Sequence, residues 1–509
     1  MSIAKVFSGQ SDILKGSIIT VETDLARGLY SFTVVGLPDK AVEEAKDRVG
    51  AAIKNSNFES PKAKNQKVVI SLAPAAVKKE GSHFDLPIAL SYLLASDQLQ
   101  FDPQDKIFLG ELALDGGIRN VPGILPITRK AKEEGFTQVF VPLDCVEEAS
   151  LIEDIEVIGV QTLLETTQIL TKQIPVPTIS LSVTCDEISE NEIDFKDVKG
   201  QEFAKRALII AAAGGHNILL WGPPGTGKTM LAKAFAGILP PLTYEEVLDV
   251  TSIHSVAGLL EKGARKHPPF RAPHHTSSHV SVVGGGQHIR PGEITLAHKG
   301  VLFLDEFPEF DRRVIESLRE PLEEKKIRIS RSKGTATFPA DFILVAAMNP
   351  CPCGNFGSEN KKCVCPPGTI ERYQRKISGP ILDRIDMWIE VTDIAHTLLA
   401  NKDLSESSAD IKKKIIKART IQTKRNSAVN KETTRNSQIK AKDINRLIDV
   451  DEKARLILNM GAEKLGLSPR AYHRVLRLAR TIADLEEEPI VLERHILEAL
   501  QFRQKKELV

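Results

Sequence analysis

Cysteine is scarce in this sequence: six residues in 509, and four of them, Cys351, Cys353, Cys363 and Cys365, fall within the single stretch MNPCPCGNFGSENKKCVCPP. Also missing is any apolar run near the ~18 residues of a membrane-spanning helix, which speaks against a membrane partner of that kind. The opening MSIAKVFSGQSD has neither the apolar core nor the cleavage site of a signal peptide. A cytoplasmic location is therefore expected, where thiols stay reduced and clustered cysteines favour metal over disulfides. Internal repeats and low-complexity segments are absent as well. Net charge is almost nil, 68 Lys and Arg against 67 Asp and Glu, and by itself argues neither for nor against nucleic acid.

What is present is ordinary in bulk and informative in arrangement. With 42% hydrophobic and 27% charged residues the composition is that of a soluble globular chain. Its length suggests about three or four folding units. Charge is uneven: residues 411–440 carry ten Lys or Arg against Glu432 alone, a local +9 that leaves −8 for the rest. Such an island suits a phosphate backbone and equally suits a solvated helix face.

Residues 1–171 mix β runs such as KVVISLAP (67–74) and IFLGELAL (107–114) with helix-like stretches such as DLPIALSYLLAS (85–96), predicting one α+β domain. Residues 172–193 open with prolines at alternate positions in KQIPVPTIS and predict a linker. An α/β series occupies 194–392, and a helix-periodic tail occupies 393–509.

The strongest motif is ILLWGPPGTGKTMLAKAFAG (218–237), an apolar strand, a glycine-rich turn and a helix. Gly222, Pro223, Pro224, Gly225, Thr226 and Gly227 would wrap backbone N–H groups around phosphates, Lys228 would reach the β- and γ-phosphates of ATP, and Thr229 would ligate Mg²⁺. A second apolar strand, GVLFLDEF (300–307), ends in Asp305 and Glu306, placed for Mg²⁺ and for polarising the attacking water. A third, DFILVAAMNP (341–350), ends in Asn349, an amide able to orient water or sense the γ-phosphate.

These three elements together resemble the AAA+ ATPases. RPGEITLAHKGVLFLDEF (290–307), ISGPILDRIDMWIEV (377–391), TVVGLPDKAVEEAKDRV (33–49) and FRAPHHTSSHVSVVGGG (270–286) narrow the resemblance to the magnesium-chelatase-like branch, specifically the bacterial ComM/YifB family. The resemblance implies an N-terminal Lon-protease-like α+β domain, a P-loop AAA+ core with a pre-sensor-1 hairpin, a C-terminal helical lid, and a homo-hexamer. Arg384 of LDRID resembles the arginine finger that enters a neighbour's ATP site, and Arg470 of LSPRAYHRVLRLAR resembles the sensor 2 arginine. Read without the family, both arginines suit surface or helix-cap ion pairs equally well. The activity implied is an ATP-driven helicase or branch-migration motor on single-stranded or branched DNA in natural transformation, with recombination proteins as further partners. The alternative is a protein-remodelling ATPase of the magnesium-chelatase type.

EKKIRISRSKGTATFPADF (324–342) reads as a β-hairpin with Gly334 near its tip, and by resemblance Arg331 and Lys333 would face DNA in the ring pore. Seven of the twelve histidines, His254, His267, His274, His275, His279, His288 and His298, lie in 254–298 without metal-ligand spacing, and are expected in loop and pore contacts. The Lon likeness raises a serine-lysine protease, but the stretch EGSHFDLPIAL displaces Ser82, and Leu125 stands where the lysine belongs. Ser82 is expected to cap a helix. The four clustered cysteines, spaced C-x-C, nine residues, C-x-C, predict a structural Zn²⁺ loop between Asn349 and Arg384.

Overall fold

Alternation of apolar residues builds the first sheet of the computed structural model, which describes residues 3–12, 14–177, 193–260, 264–286, 290–331, 334–357, 361–393, 406–429 and 433–503. Val68, Ile70 and Leu72 point to one face of the strand Gln66–Ala73 and are fully buried. That strand lies antiparallel to Lys15–Arg27, which pairs in turn with Ala4–Asp12 along its whole length. Four parallel additions, Ser31–Val35 at one edge and Lys106–Phe108, Gln138–Pro142 and Glu156–Val160 at the other, complete seven strands. Helices Lys40–Asn55 and Asp85–Ala95 share a core with Val6 and Val21 through Val49, Ile53, Leu86 and Leu90. Helix Ile124–Glu133 packs with Ile107, Val139 and Val141 in a separate cluster. The expected β run 107–114 is broken into Lys106–Phe108 and Glu111–Leu112, and between them Gly110 N donates to His83 O at 3.1 Å rather than to a strand of the sheet.

By contacts the chain forms two compact units, 1–186 with 243–265, and 187–242 with 266–509. The sequence reading keeps 243–265 inside the nucleotide-binding block and expects three or four units. Instead the helix Tyr244–Val256, opened by a Thr243/Glu246 capping box, packs within the first unit: Leu248 meets Leu125 and Ile152, and Arg129 faces Glu245 and Asp249. Gly123 N donates to Ser255 Oγ at 2.9 Å, and Leu125 N donates to the buried Glu148 carboxylate at 2.8 Å.

Burial pushes the Glu148 carboxyl up to about 7 from its ordinary 4.5, against the opposing hydrogen bonds from Ser255 and Leu125. Between those values the folded chain keeps a proton that the unfolded chain gives up. The stability this group contributes is thus fully present below the unfolded value and is lost as the pH rises through about 7, a difference of about 3 kcal/mol. Melting temperatures of the natural chain are therefore expected to fall between about pH 4.5 and about pH 7 and to level off above, and Glu148→Gln to flatten that fall; equal slopes in calorimetry would contradict it.

The second unit is built on five parallel strands in the order Phe270–Arg271, Val301–Leu304, Ile343–Met348, Ile218–Trp221 and Met387–Glu390. Its central strands are apolar on both faces, as a parallel sheet covered on both sides requires. Helix Glu202–Gly214 shares this core with Ser408–Ser427, Glu452–Leu465, Pro469–Leu485 and Glu493–Gln501. In Pro469–Leu485 the residues Ala471, Val475, Leu478, Ala479 and Ile482 make the buried stripe, and Ser468 caps the start by accepting from Ala471 N. One continuous core from Phe195 to Phe502 explains why the tail is no separate unit. None of the described helices is long and apolar enough to cross a membrane.

Candidate nucleotide site and metal centre

The apolar strand Ile218–Trp221 runs into Gly222, and the helix Lys228–Gly237 starts after the loop of Pro223, Pro224, Gly225, Thr226 and Gly227. Gly225 and Gly227 both have left-handed backbones, φ +84° and +89°, and a Cβ on either would touch nothing within 4 Å. The turn needs glycine for conformation, and its outer face stays open to a ligand. Lys228 is buried and folds back along the loop, donating to Gly222 O at 2.8 Å, Pro223 O at 2.7 Å and Asn349 Oδ1 at 3.2 Å. Burial lowers the pKa of its ammonium, and the nearby Asp305 opposes that shift.

Register brings the partners together. Trp221 lies opposite Met348, so Gly222 and Asn349 leave neighbouring strands side by side. Asp305 follows Val301–Leu304 and accepts from Thr229 Oγ1 at 2.8 Å, two oxygen ligands of the kind Mg²⁺ takes. Glu306 sits in a left-handed conformation, φ +51°, uncommon for a residue with a side chain and typical of strain kept at functional sites. His275 Nδ1 is 3.1 Å from its carboxylate. Sequence reasoning missed this partner and also Tyr373, a buried phenol hydrogen-bonded to the Asn349 backbone whose pKa burial raises. The one available signal for His275 was its place in the histidine-rich segment.

Arg384 and Arg470 are brought together, but at the opposite end of the sheet. Asn217 precedes the P-loop strand, and its Nδ2 donates to Arg384 O at 3.1 Å. The four residues of Ile218–Trp221 separate that point from Gly222, roughly 13 Å of strand. Both guanidinium groups rest on one carboxylate, Glu323: Arg470 at 2.7 Å, Arg384 on the other oxygen. They line a cleft of about 980 Å³ with Arg474, Arg477, Lys299 and Lys440. Neither arginine completes the Lys228 site of its own chain.

The cysteine quartet converges. Cys351 Sγ lies 3.4 Å from Cys353 and 3.7 Å from Cys363, Cys353 lies 3.6 Å from Cys363, and all four sulfurs including Cys365 fall within 4.8 Å of one another. A tetrahedral Zn²⁺ with Zn–S bonds of about 2.3 Å has sulfur separations of about 3.8 Å, whereas a disulfide needs about 2.0 Å. The donor set fits zinc. Phe356 N also donates to Cys351 Sγ at 3.3 Å, as backbone amides do around metal thiolates. The loop is seated on the nucleotide site: a Cβ on Gly354 would lie 2.5 Å from Pro224 Cδ.

Other expectations fare unevenly. Strands Lys326–Arg331 and Gly334–Pro339 do pair as a hairpin, with Ile327, Ile329 and Phe338 buried, while Lys333 and the Arg331 side chain lie outside the described residues, as does His288. His254 and His298 are buried, His254 bonded to Val250 O one turn back and His298 accepting from Asp341 N at 3.0 Å, and the cysteine quartet is the metal-competent group among the described residues. Much of the basic stretch is consumed internally: Lys417 pairs with Glu487, Arg425 with the buried Asp484, and Arg419 donates to Ala212 O. Ser82 caps no helix; its hydroxyl donates to Glu111, and Leu125 is buried, which leaves Ser82 beside a carboxylate rather than an amine.

A five-stranded parallel sheet with a P-loop, an acidic strand end and a helical C-terminus defines a nucleotide-binding protein of the AAA+ magnesium-chelatase class. Family models agree: "Magnesium chelatase, subunit ChlI" matches residues 194–399, "Subunit ChlI of Mg-chelatase" matches 21–144, and the ChlI C-terminal model matches 405–503. The chain belongs to the ComM/YifB family: it is 43% identical over 510 residues to the competence protein ComM of Haemophilus influenzae, covering 99% of this chain and 98% of that one. It is 41% identical to the uncharacterized protein YifB of Escherichia coli, over 95% and 94% of the two chains. The magnesium-chelatase 67 kDa subunit of Chlorobaculum parvum is 28% identical over 164 residues, 31% of this chain and 23% of that one. Membership implies ATP and Mg²⁺ as the ligands of the Lys228 site.

Proposed function

We propose that the protein is an ATP-hydrolysing ring motor acting on single-stranded or branched DNA in the cytoplasm. A single observation carries the reading: groups suited to a γ-phosphate are divided between two ends of one sheet, Lys228, Asp305, Glu306 and Asn349 at one and Arg384 and Arg470 at the other. Such a chain needs a second copy, and a head-to-tail interface that uses both ends of every copy gives a ring when the rotation per copy closes, by resemblance a hexamer. Lys228 binds the phosphates, Asn349 orients the attacking water, and Glu306, steadied by His275, takes its proton. Mg²⁺ held by Thr229 and Asp305 would neutralise charge between the β- and γ-phosphates. Arg384 of the next copy stabilises the transferring group.

The DNA assignment rests on likeness to a competence protein and on the hairpin, read as the pre-sensor-1 element that moves with each turnover. Helicase or branch-migration activity that helps integrate single strands during transformation, alongside recombination proteins, is the specific form proposed. The test is ATP turnover with and without single-stranded and forked DNA, beside Lys228→Ala. No DNA binding and no stimulation would sink the assignment. In that case a protein-remodelling motor is favoured; the internal pairing of Lys417 and Arg425 already takes those charges of the basic stretch away from DNA.

Cys351, Cys353, Cys363 and Cys365 would hold a structural Zn²⁺ that shapes the loop. Because Gly354 sits against Pro224, losing the metal is expected to loosen the P-loop as well. Elemental analysis should find about one zinc per chain. Chelation should lower the melting temperature and weaken binding of a fluorescent ATP analogue. Metal-free protein with four titratable thiols and unchanged nucleotide affinity would refute the cage.

A further inference from the structure

Glu323 stands where three elements meet. It belongs to the helix Arg319–Glu324, which leads directly into the hairpin. One of its carboxylate oxygens takes Arg384, from the loop after helix Gly379–Leu382, and the other takes Arg470, from the first turn of Pro469–Leu485. Arg384 is 13% exposed and its Nε is buried without a partner, whereas Glu323 and Arg470 are 49% and 44% exposed. This cluster is reachable from outside the chain. The Arg470–Glu323 pair is about half exposed, and such pairs contribute only ~1 kcal/mol or less, so that hold is reversible.

The same helix is fastened to the hairpin. Arg328, on the hairpin's first strand, donates from Nη2 to Glu324 at 3.0 Å and from its backbone N to Glu320 at 3.3 Å. At the hairpin base Ala340 N donates to Lys325 O at 2.8 Å, and Lys325 pairs with Asp341 at 3.5 Å. Helix and hairpin base are thereby one mechanical piece, and whatever draws on Glu323 draws on the hairpin.

We propose that Glu323 is the positioning residue that couples the nucleotide of a second copy to the hairpin; this rests on the reading of the protein as an ATP-hydrolysing ring. Glu323 holds Arg384 and Arg470 until a terminal phosphate faces them. That phosphate, with about twice the charge of a carboxylate and three acceptor oxygens, outcompetes Glu323 for both arginines. Glu323 is then released together with the hairpin-bearing helix. DNA on the hairpin works the same junction in reverse, shifting the helix and freeing the arginines for the neighbour's phosphate.

Glu323→Gln in the full chain keeps the shape and removes the charge. Expected are unchanged binding of a fluorescent ATP analogue, DNA-free turnover raised about fivefold, and a DNA stimulation ratio that falls towards one. Measured against Arg384→Ala alone, Glu323→Gln/Arg384→Ala should show no gain, since release acts through Arg384. Turnover that stays at the natural value, or falls with and without DNA in parallel, would overturn the coupling, and so would a gain that survives in the double variant. Should the natural chain show no DNA stimulation, the DNA reading fails by itself, and the DNA-free rates of the two variants still decide the role of Glu323.

Discussion

Arg384→Ala is expected to lower ATP turnover about a thousandfold, the lower end of what an arginine finger contributes, while nucleotide binding keeps the affinity of the natural chain. The reason is topological. Arg384 is tied through its carbonyl to Asn217, at the amino end of the strand whose carboxyl end carries the P-loop, so it has no part in holding the nucleotide of its own chain. On the proposed reading its work is on a neighbour's phosphate, where charge develops in the transition state. A mixing experiment gives the sharper result. Arg384→Ala and Lys228→Ala are each inactive alone, yet mixed rings should regain turnover, because about one interface in four then joins an intact Lys228 to an intact Arg384. Turnover that does not recover in mixed rings, or an Arg384→Ala chain that loses nucleotide binding, would place the arginine in its own site instead.

Lys228→Ala is expected to abolish measurable turnover, by about 10²- to 10³-fold or more, and, unlike Arg384→Ala, to weaken nucleotide binding as well. Two losses combine. The substitution removes the one buried ammonium at the mouth of the P-loop, and it strips a donor from Gly222 O, Pro223 O and Asn349 Oδ1 at once. Asn349 is thereby cut loose from the P-loop lysine. Titration with a fluorescent ATP analogue separates the two effects, and binding at natural affinity would show that Lys228 acts only on the transition state.

The parts of the site that were legible in the sequence are those whose chemistry is written in consecutive residues. A P-loop works through successive backbone N–H groups, so 222–229 announces itself, and apolar strands ending in Asp305, Glu306 or Asn349 can be recognised one at a time. The hairpin followed from alternation at Ile327 and Ile329, and the cysteine spacing already permitted a four-sulfur cage. Other residues could be read only in part. Taken alone, Arg384 and Arg470 suited ion pairs as well as catalysis; the structure gives them one shared ion pair, on Glu323.

Long-range choices were hidden. The +9 stretch looks like a nucleic-acid surface until Arg425 is found on Asp484, 59 residues away, and Lys417 on Glu487, 70 residues away. Nor does a helix between the P-loop and the next strand of the sheet declare that its apolar face, through Leu248, will pack with Leu125 and Ile152 of the N-terminal unit. His275 on Glu306, Glu323 on two arginines and Gly354 on Pro224 are likewise pairings across tens or hundreds of residues.

By itself, then, the sequence determined which chemistry each local segment can perform: phosphate binding at 222–229, charge at 305 and 306, and thiolate clustering at 351–365. Those capacities depend on backbone conformation and residue type within a few positions. Tertiary structure alone decided where each capacity points, because the two ends of a parallel strand differ only in what the fold brings to them. Roughly 13 Å of strand separates Gly222, where the P-loop begins, from Asn217, which holds the Arg384 backbone. On the proposed reading, that separation makes one chain's set of residues half of a shared site.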